Sequence, residues 1–246
     1  MKYKKRTLVI LSGGMDSTVL AHRIANSPVY ELIGCVSVNY GQRHAYELKC
    51  AAETCKCLGV PHYLLDMHEL GKVIHSSALT GNEPIPEGHY AEDSMKATVV
   101  PNRNMILIAL AVAVGITQKA EFVAYGAHAG DHAVYPDCRP EFADALTAAI
   151  ALCDYDPPYL IKPFIQITKS DILRLGLELG VDFRKTWTCY QGVEPGAAPI
   201  ACGKCGTCVE RLEAFSSRGV EDPLEYADRE FWRTVEAPKP PQPSLL

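Results

Sequence analysis

Two groups of residues in this sequence have the types and spacing of chemical sites. The first is Ser12-Gly13-Gly14-Met15-Asp16-Ser17-Thr18, directly after the apolar run Thr7-Leu8-Val9-Ile10-Leu11 and opening a helical stretch. Glycines in such a turn let successive backbone N–H groups converge on one point, and a helix start adds unpaired donors and the positive end of its dipole. Ser12, Ser17 and Thr18 add hydroxyls. The implied chemistry is phosphate binding at the carboxyl end of a strand. Neither G-x-x-x-x-G-K-[ST] nor G-x-G-x-x-G is present, so this is neither a Walker loop nor a dinucleotide fingerprint.

The second group is Cys189-x₁₂-Cys202-x₂-Cys205-x₂-Cys208, four of the ten cysteines. Four thiolates at these intervals suit a tetrahedral zinc with bonds of roughly 2.3 Å, and Gly203 and Gly206 fall where tight knuckle turns need freedom. Sulfur-only ligation with no spare position is structural rather than catalytic. An iron–sulfur cluster is the chemical alternative, since C-x₂-C-x₂-C also occurs in ferredoxins; the ferredoxin continuation C-x₃-C-P is missing, and Val209-Glu210-Arg211 leads into a helix instead. Cys35, Cys50, Cys55, Cys57 and Cys153 read as core or helix positions, and Cys138 lies in a loop without a partner that would mark it as a nucleophile. His128 and His132 have no carboxylates at metal-ligand spacing.

The elements that must position these groups alternate between strand and helix. Strands are expected at residues 6–11, 31–39, 62–66 and 121–126. Helices are expected at 16–25, from the polar turn at 40–43 to about 58, at 104–118, and from Pro140 to about 153. Thr168-Lys169-Ser170-Asp171 fits a capping box for a helix over 172–179, with Gly180 just past its end. Residues 67–100 have no clean period and read as a long functional loop. Buried apolar strands alternating with helices indicate a parallel sheet covered on both faces. The four prolines of 237–246 predict a disordered tail.

Composition sets outer bounds. The 246 residues suit one large domain, or one domain with an appendage; 48% are hydrophobic and 22% charged, ordinary globular chemistry. A net charge of −5 argues against direct nucleic-acid binding by bulk electrostatics. The longest uncharged apolar run, residues 105–116, falls well short of the roughly 20 needed to span a membrane, and the short run after the N-terminal lysines does not make a signal peptide. A cytoplasmic protein is expected, in which clustered thiols bind metal rather than form disulfides.

The S-G-G-x-D-S turn resembles the signature of the pyrophosphate-loop ATPase superfamily. Further motifs narrow the resemblance: Tyr40-Gly41-Gln42-Arg43-His44 after the second strand, Val100-Pro101-Asn102-Arg103-Asn104 before the apolar helix, Tyr135-Pro136-Asp137-Cys138-Arg139, and Thr188-Cys189-Tyr190 leading to Cys202-Gly203-Lys204-Cys205-Gly206-Thr207-Cys208. This ordered set, from about residue 6 to 217, resembles the 7-cyano-7-deazaguanine (preQ0) synthase family of the queuosine pathway, with Asn102 standing where many members carry glycine.

The resemblance implies a Rossmann-like α/β domain of the adenine nucleotide alpha hydrolase type over residues 1–180 and a zinc-binding helical subdomain over 181–236. It implies ATP-dependent conversion of 7-carboxy-7-deazaguanine and ammonia to the nitrile. The carboxylate is adenylated, ammonia displaces AMP, the amide oxygen is adenylated, and AMP leaves again. Leu11, Ser12, Gly13, Gly14, Met15, Asp16, Ser17, Thr18, Val19, Leu20 and Ala21 would bind ATP, with Asp16 near magnesium. Asp16, Ser17, Arg103 and Lys169 would carry catalysis. Arg43 and Arg103 suit phosphates or the substrate carboxylate, and Lys169 the pyrophosphate. Tyr40, Gln42, Arg43, Asp131, Tyr135 and Asp137 would bind substrate, the aspartates at its guanine-like edge and the tyrosines by stacking. Zinc on Cys189, Cys202, Cys205 and Cys208, magnesium with ATP, and a homodimer complete the expectation. Alternatives are another pyrophosphate-loop adenylating enzyme, a paralogue transferring the activated deazaguanine to a different acceptor, or a zinc-binding regulator that senses nucleotide without turnover.

Overall fold

A computed structural model describes residues 3–194 and 196–237. Five parallel strands form one sheet in the order β3-β2-β1-β4-β5: β1 Lys5–Ile10, β2 Tyr30–Asn39, β3 His62–Asp66, β4 Phe122–Ala124 and β5 Tyr159–Ile161. The strand order reverses beside β1, whose neighbours are β2 and β4. In open α/β sheets ligands bind at such a switch point, beyond the carboxyl ends of the strands.

Side-chain alternation along β1 divides the core. Val9 faces α1 (Met15–Ala25), α2 (Glu47–Leu58), α6 (Lys169–Glu178) and α7 (Gly206–Ser217), whose Met15, Val19, Leu20, Ala51, Cys55, Ile172, Leu173 and Phe215 bury one face of the sheet. Leu8 points the other way, to α4 (Arg103–Thr117) and α5 (Pro140–Ile150) through Ile108, Ala111, Val112 and Ala143. A third cluster sits past the strand ends, where Val38, Tyr40, Leu79, Trp187 and the cysteines at 189, 205 and 208 meet. Phe215 of α7 stacks edge-on against Phe183 at 5.4 Å, so the four-cysteine segment shares the main core.

Several boundaries differ from the sequence expectation, for local reasons. α2 starts at Glu47 because 40–46 is tied down as a turn: the Gln42 side chain accepts from the Tyr40 N–H, and the Arg43 N–H reaches the Leu79 carbonyl. α6 starts at Lys169, with Thr168 as its N-cap and Asp171 completing the box. α5 ends at Ile150, leaving Cys153 exposed, as Cys57 is on α2. β5 was not expected: three residues between Pro158 and Pro163 carry too short a pattern, and only pairing with β4 makes them a strand. The 67–100 stretch holds one helical turn, α3 (His68–Gly71), and a 3-10 helix, Asp93–Thr98. Of the expected tail only Ala237 lies within the described residues. Among the described residues no helix is long and apolar enough to cross a membrane.

Candidate active site and four-cysteine centre

A cavity opens past the ends of β1, β2 and β4, lined by the first turn of α1, the start of α4, the 125–138 loops and the start of α7. The 12–18 loop forms one wall. Gly13 has φ +94°, and a Cβ there would lie 1.9 Å from the Glu47 carbonyl oxygen, so the turn packs backbone to backbone against α2. Ser17 Oγ lies 3.1 Å from Ser12 Oγ, accepts from the Ser12 N–H and reaches the Gly14 carbonyl, which stiffens the loop. Gly14 caps α1 without a side chain, leaving the first N–H groups of the helix for another acceptor. Thr18 Oγ1 is buried with no partner.

Beside this loop lies a charged cluster. The Lys169 ammonium sits 2.5 Å from Glu210 Oε2 and 3.4 Å from Asp16 Oδ2, with a side chain only 6% exposed. Burial works against its charge, but Asp16 and Glu210 outweigh it and raise Lys169 above the ordinary lysine range. Burial likewise opposes ionisation of Asp16, and Lys169 and His128 overcome it, holding Asp16 below the usual carboxylate range. His128 Nε2 lies 3.7 Å from Asp16, 3.6 Å from Asp131 and 4.0 Å from Glu210. Asp16 Oδ1 is buried with no partner.

On the opposite wall, Asn102 caps α4 in the left-handed conformation, φ 58°, a region that glycine and asparagine tolerate best. This accounts for asparagine at a position where glycine is expected. The next residue, Arg103, carries its guanidinium over the Tyr135 ring at 5.4 Å; none of the ion pairs among the described residues involves it. Tyr135 Oη bonds to Thr98 and Tyr190, and Tyr125 Oη is buried without a partner.

Of the residues singled out from the sequence, Leu11, Ser12, Gly14, Met15, Asp16, Ser17, Tyr40, Arg103, Asp131, Tyr135 and Lys169 line this one cavity. Others stand elsewhere. Val19, Leu20 and Ala21 face the core under α1. Gln42 is buried behind the wall, holding Tyr40 and Glu47. The Arg43 guanidinium reaches the Ala78 and Glu83 carbonyls and so braces the 67–100 stretch. Asp137 accepts from the Asn104 N–H at 2.9 Å, satisfying an open donor in the first turn of α4. Sequence reasoning passed over Glu210, Glu47, His44 and Tyr125 as cavity residues. Glu210 and Lys169 are 41 residues apart, so no local pattern signals their pairing.

The four cysteine sulfurs lie within 4.8 Å of one another, a group able to hold a metal ion. Cys205 caps α7 and Cys208 sits in its first turn. The Cys202 sulfur accepts from the N–H groups of Lys204 and Cys205, and the Cys189 sulfur from that of Cys202. Gly203, at φ +80°, lets the knuckle close against the Asp228 carbonyl. Arg211, one turn on, is buried in a two-pronged pair with Asp222 and donates to Thr186, Thr188 and the Phe183 carbonyl. It fastens the strap that carries Cys189 onto α7.

The family described as "Queuosine biosynthesis protein QueC" matches residues 6–219. The 7-cyano-7-deazaguanine synthase of Marinobacter nauticus is 51% identical over 89% of this chain and 96% of its own. That of Rhizobium etli is 48% identical over 94% of this chain and 95% of its own. Among solved structures, the U34-tRNA thiolase NcsA from Methanococcus maripaludis with its [4Fe-4S] cluster aligns over 88% of this chain and 65% of that chain at 17% identity and a TM-score of 0.47, too loose a likeness to bear on the chemistry. Family match, extended identity and cavity converge: the chain belongs to the QueC family of queuosine biosynthesis proteins, that of the 7-cyano-7-deazaguanine synthases.

Proposed function

We propose that this cavity converts 7-carboxy-7-deazaguanine and ammonia to 7-cyano-7-deazaguanine (preQ0) with ATP, releasing AMP and pyrophosphate. The observation that carries the reading is that the 12–18 turn, a charged lysine and an arginine with no ion pair among the described residues open into one cavity. ATP phosphates are bound by the N–H groups and hydroxyls of residues 12–18 at the start of α1. The Lys169 ammonium, kept charged, offsets charge developing on the departing pyrophosphate. Asp16 Oδ1, buried and unpaired, fits an oxygen ligand for magnesium, which would neutralise phosphate charge. Arg103 binds the substrate carboxylate, whose oxygen is a poor leaving group until adenylated. Tyr135 and Tyr40 border the deazaguanine ring, and Asp131 accepts from its guanine-like edge. Val19, Leu20 and Ala21 hold α1 to the core, while Gln42, Arg43 and Asp137 brace the loops that present Tyr40 and Arg103.

Zinc is the metal we assign to the four cysteines. Tetrahedral bonds of roughly 2.3 Å set sulfurs about 3.8 Å apart, and Cys202 and Cys208 sulfurs lie 3.9 Å apart. A four-iron cluster, with each cysteine on a different corner, needs a wider spread. Zinc here ties the 189 strap to α7 and takes no part in turnover. A homodimer belongs to the same reading: Met105, Ala109 and Ala113 form an exposed apolar line on α4, and light scattering tests it.

The test is direct. The protein is incubated with 7-carboxy-7-deazaguanine, ammonium, ATP and magnesium, and products are read by mass spectrometry. Nitrile with AMP is expected. AMP without nitrile would point to a different acceptor, and neither product from folded, metal-loaded protein would refute the assignment.

A further inference from the structure

We propose that the Glu47 carboxylate, with His44 beside it, is the ammonium site of this cavity and takes the protons that the reacting nitrogen gives up. The inference rests on the reading above and deepens it, since that chemistry needs a nitrogen source and a base, and there Asp16 serves magnesium, Lys169 serves pyrophosphate and Glu210 is paired with Lys169.

Glu47 and His44 both line the cavity, and Arg103 is the charged side chain that acts on both. Glu47 is 8% exposed and His44 5%. Both contacts of the Glu47 carboxylate fall on Oε1, from Gln42 Nε2 at 3.3 Å and His44 Nε2 at 3.4 Å. Among the described residues Oε2 has no hydrogen-bond partner, and no lysine or arginine lies within ion-pair distance of Glu47. His44 Nδ1 is buried without a partner as well. The aromatic neighbour is Tyr190, its ring 5.3 Å from that of His44.

A buried carboxylate with only neutral donors, an open oxygen and aromatic walls is a poor site for an anion and a good one for a small cation with several N–H groups. Arg103 approaches from α4 and Tyr40 from its loop, so the bound cation stands near the atom Arg103 would hold. Burial pushes Glu47 up to about 8, against the pull of Gln42 and Arg103, and burial, with Arg103 adding to it, pushes His44 down to about 3. A bound ammonium, as an opposite charge, favours the ionised form of Glu47 until the proton passes across, and His44 stays neutral.

Ammonium gives one proton to Glu47 and becomes ammonia. Its lone pair forms the C–N bond, the C–O bond to AMP breaks, and the electron pair leaves on the AMP phosphate. The attached nitrogen, now cationic, gives a second proton to the departing AMP phosphate and becomes the amide, and Glu47 releases its own proton to solvent through the open side of the cavity. After the amide oxygen is adenylated, the nitrogen gives one remaining proton to the ionised Glu47 and the other to the second departing AMP phosphate as the C–O bond breaks and the nitrile forms. No atom changes oxidation state in sum, and every proton leaves from the same nitrogen.

The experiment separates adenylation from amine capture. Pyrophosphate exchange into ATP, dependent on 7-carboxy-7-deazaguanine and run without amine, reads adenylation alone. Amide formation is then measured with ammonium chloride and, in parallel, with hydroxylamine, which is already neutral at pH 7.5. In Glu47→Gln, ammonium-dependent amide formation is expected to fall at least ~100-fold. Exchange and hydroxamate formation should stay within about threefold of wild type. Glu47→Asp, which keeps the charge and shortens its reach, should raise the KM for ammonium about tenfold or more with exchange retained, and guards against a folding failure of the first variant. Equal losses with both amines, or exchange falling in step, would overturn the proposal and leave Glu47 as a brace for the Tyr40 turn. Unchanged ammonium dependence would overturn it too. Absence of exchange in wild type would instead refute the function proposed above.

Discussion

Replacing Lys169 with methionine is the sharpest probe of the site's electrostatics. Methionine keeps the length of the side chain and deletes the ammonium, which stands 2.5 Å from Glu210 and 3.4 Å from Asp16. The Glu210 side chain is 9% exposed and that of Asp16 22%, so water can do little to replace the lost partner. Removing one member of a buried pair costs about 3–5 kcal/mol, because the remaining charge is stranded. At 2–4 °C per kcal/mol, a chain of this size should lose roughly 6–20 °C in Tm at pH 7.5. The pH dependence carries the sign. The raised folded pKa of Lys169 keeps its contribution fully present across pH 5–8, and the lowered pKa of Asp16 makes its own contribution present above the ordinary aspartate range and lost only on acidification. In Lys169→Met the stranded carboxylates instead take up protons as pH falls. The gap from wild type should therefore be widest at pH 7.5 and narrow towards pH 5. Adding Glu210→Gln to Lys169→Met should recover a large part of the loss, as for any coupled pair. Urea unfolding at the two pH values is the assay. A loss below about 1 kcal/mol at pH 7.5, or one that does not change with pH, would refute the account of the cluster.

Other perturbations have equally definite outcomes. Gly13→Ala drives a Cβ into the Glu47 carbonyl at a φ of +94°, so it should cost at least ~2 kcal/mol in urea unfolding and abolish pyrophosphate exchange. Asn102→Gly should stay within ~1 kcal/mol of wild type, while Asn102→Val, with a branched Cβ at φ 58°, should cost ~1–2 kcal/mol or more and raise the KM for the carboxylate substrate by displacing Arg103. Cys205→Ser should strip the metal, read by elemental analysis of the purified chain, and lower unfolding free energy by at least ~2 kcal/mol. Asp16→Ala should end AMP formation while the metal content holds.

Local features of the site were readable in the sequence, and the distant ones were not. The 12–18 turn is legible because the proposed anion cradle needs glycines, hydroxyls and a helix start in one short stretch, and the cysteine knuckle because three of its four cysteines are close in sequence. Arg43 and Arg103 look alike on paper, each flanking a helix. What separates them is which carbonyls happen to lie within reach: Ala78 and Glu83 capture Arg43, while among the described residues no carbonyl captures Arg103, which lies over the Tyr135 ring. Asp137 reads in the sequence as a substrate contact and not as the acceptor for α4, since Asn104 is 33 residues away. Strand β5 stayed hidden because three residues have no period to detect.

The four-cysteine element does more than close the chain's end. Arg211, one turn past Cys208, is locked to Asp222 and the 183–188 strap, and the N–H of Trp187 from that strap bonds to the Gly13 carbonyl at 3.0 Å. Glu210, its neighbour on α7, holds Lys169 against Asp16. Two routes therefore run from the cysteines to the 12–18 loop, one through backbone and one through charge. A metal held by these cysteines would fix the start of α7 and with it both the 12–18 loop and the orientation of Lys169. Loss of the metal should then weaken ATP binding before it unfolds the sheet, because α1 and α6 keep their own apolar contacts through Val19, Ile172 and Leu173 while Glu210 does not keep its place.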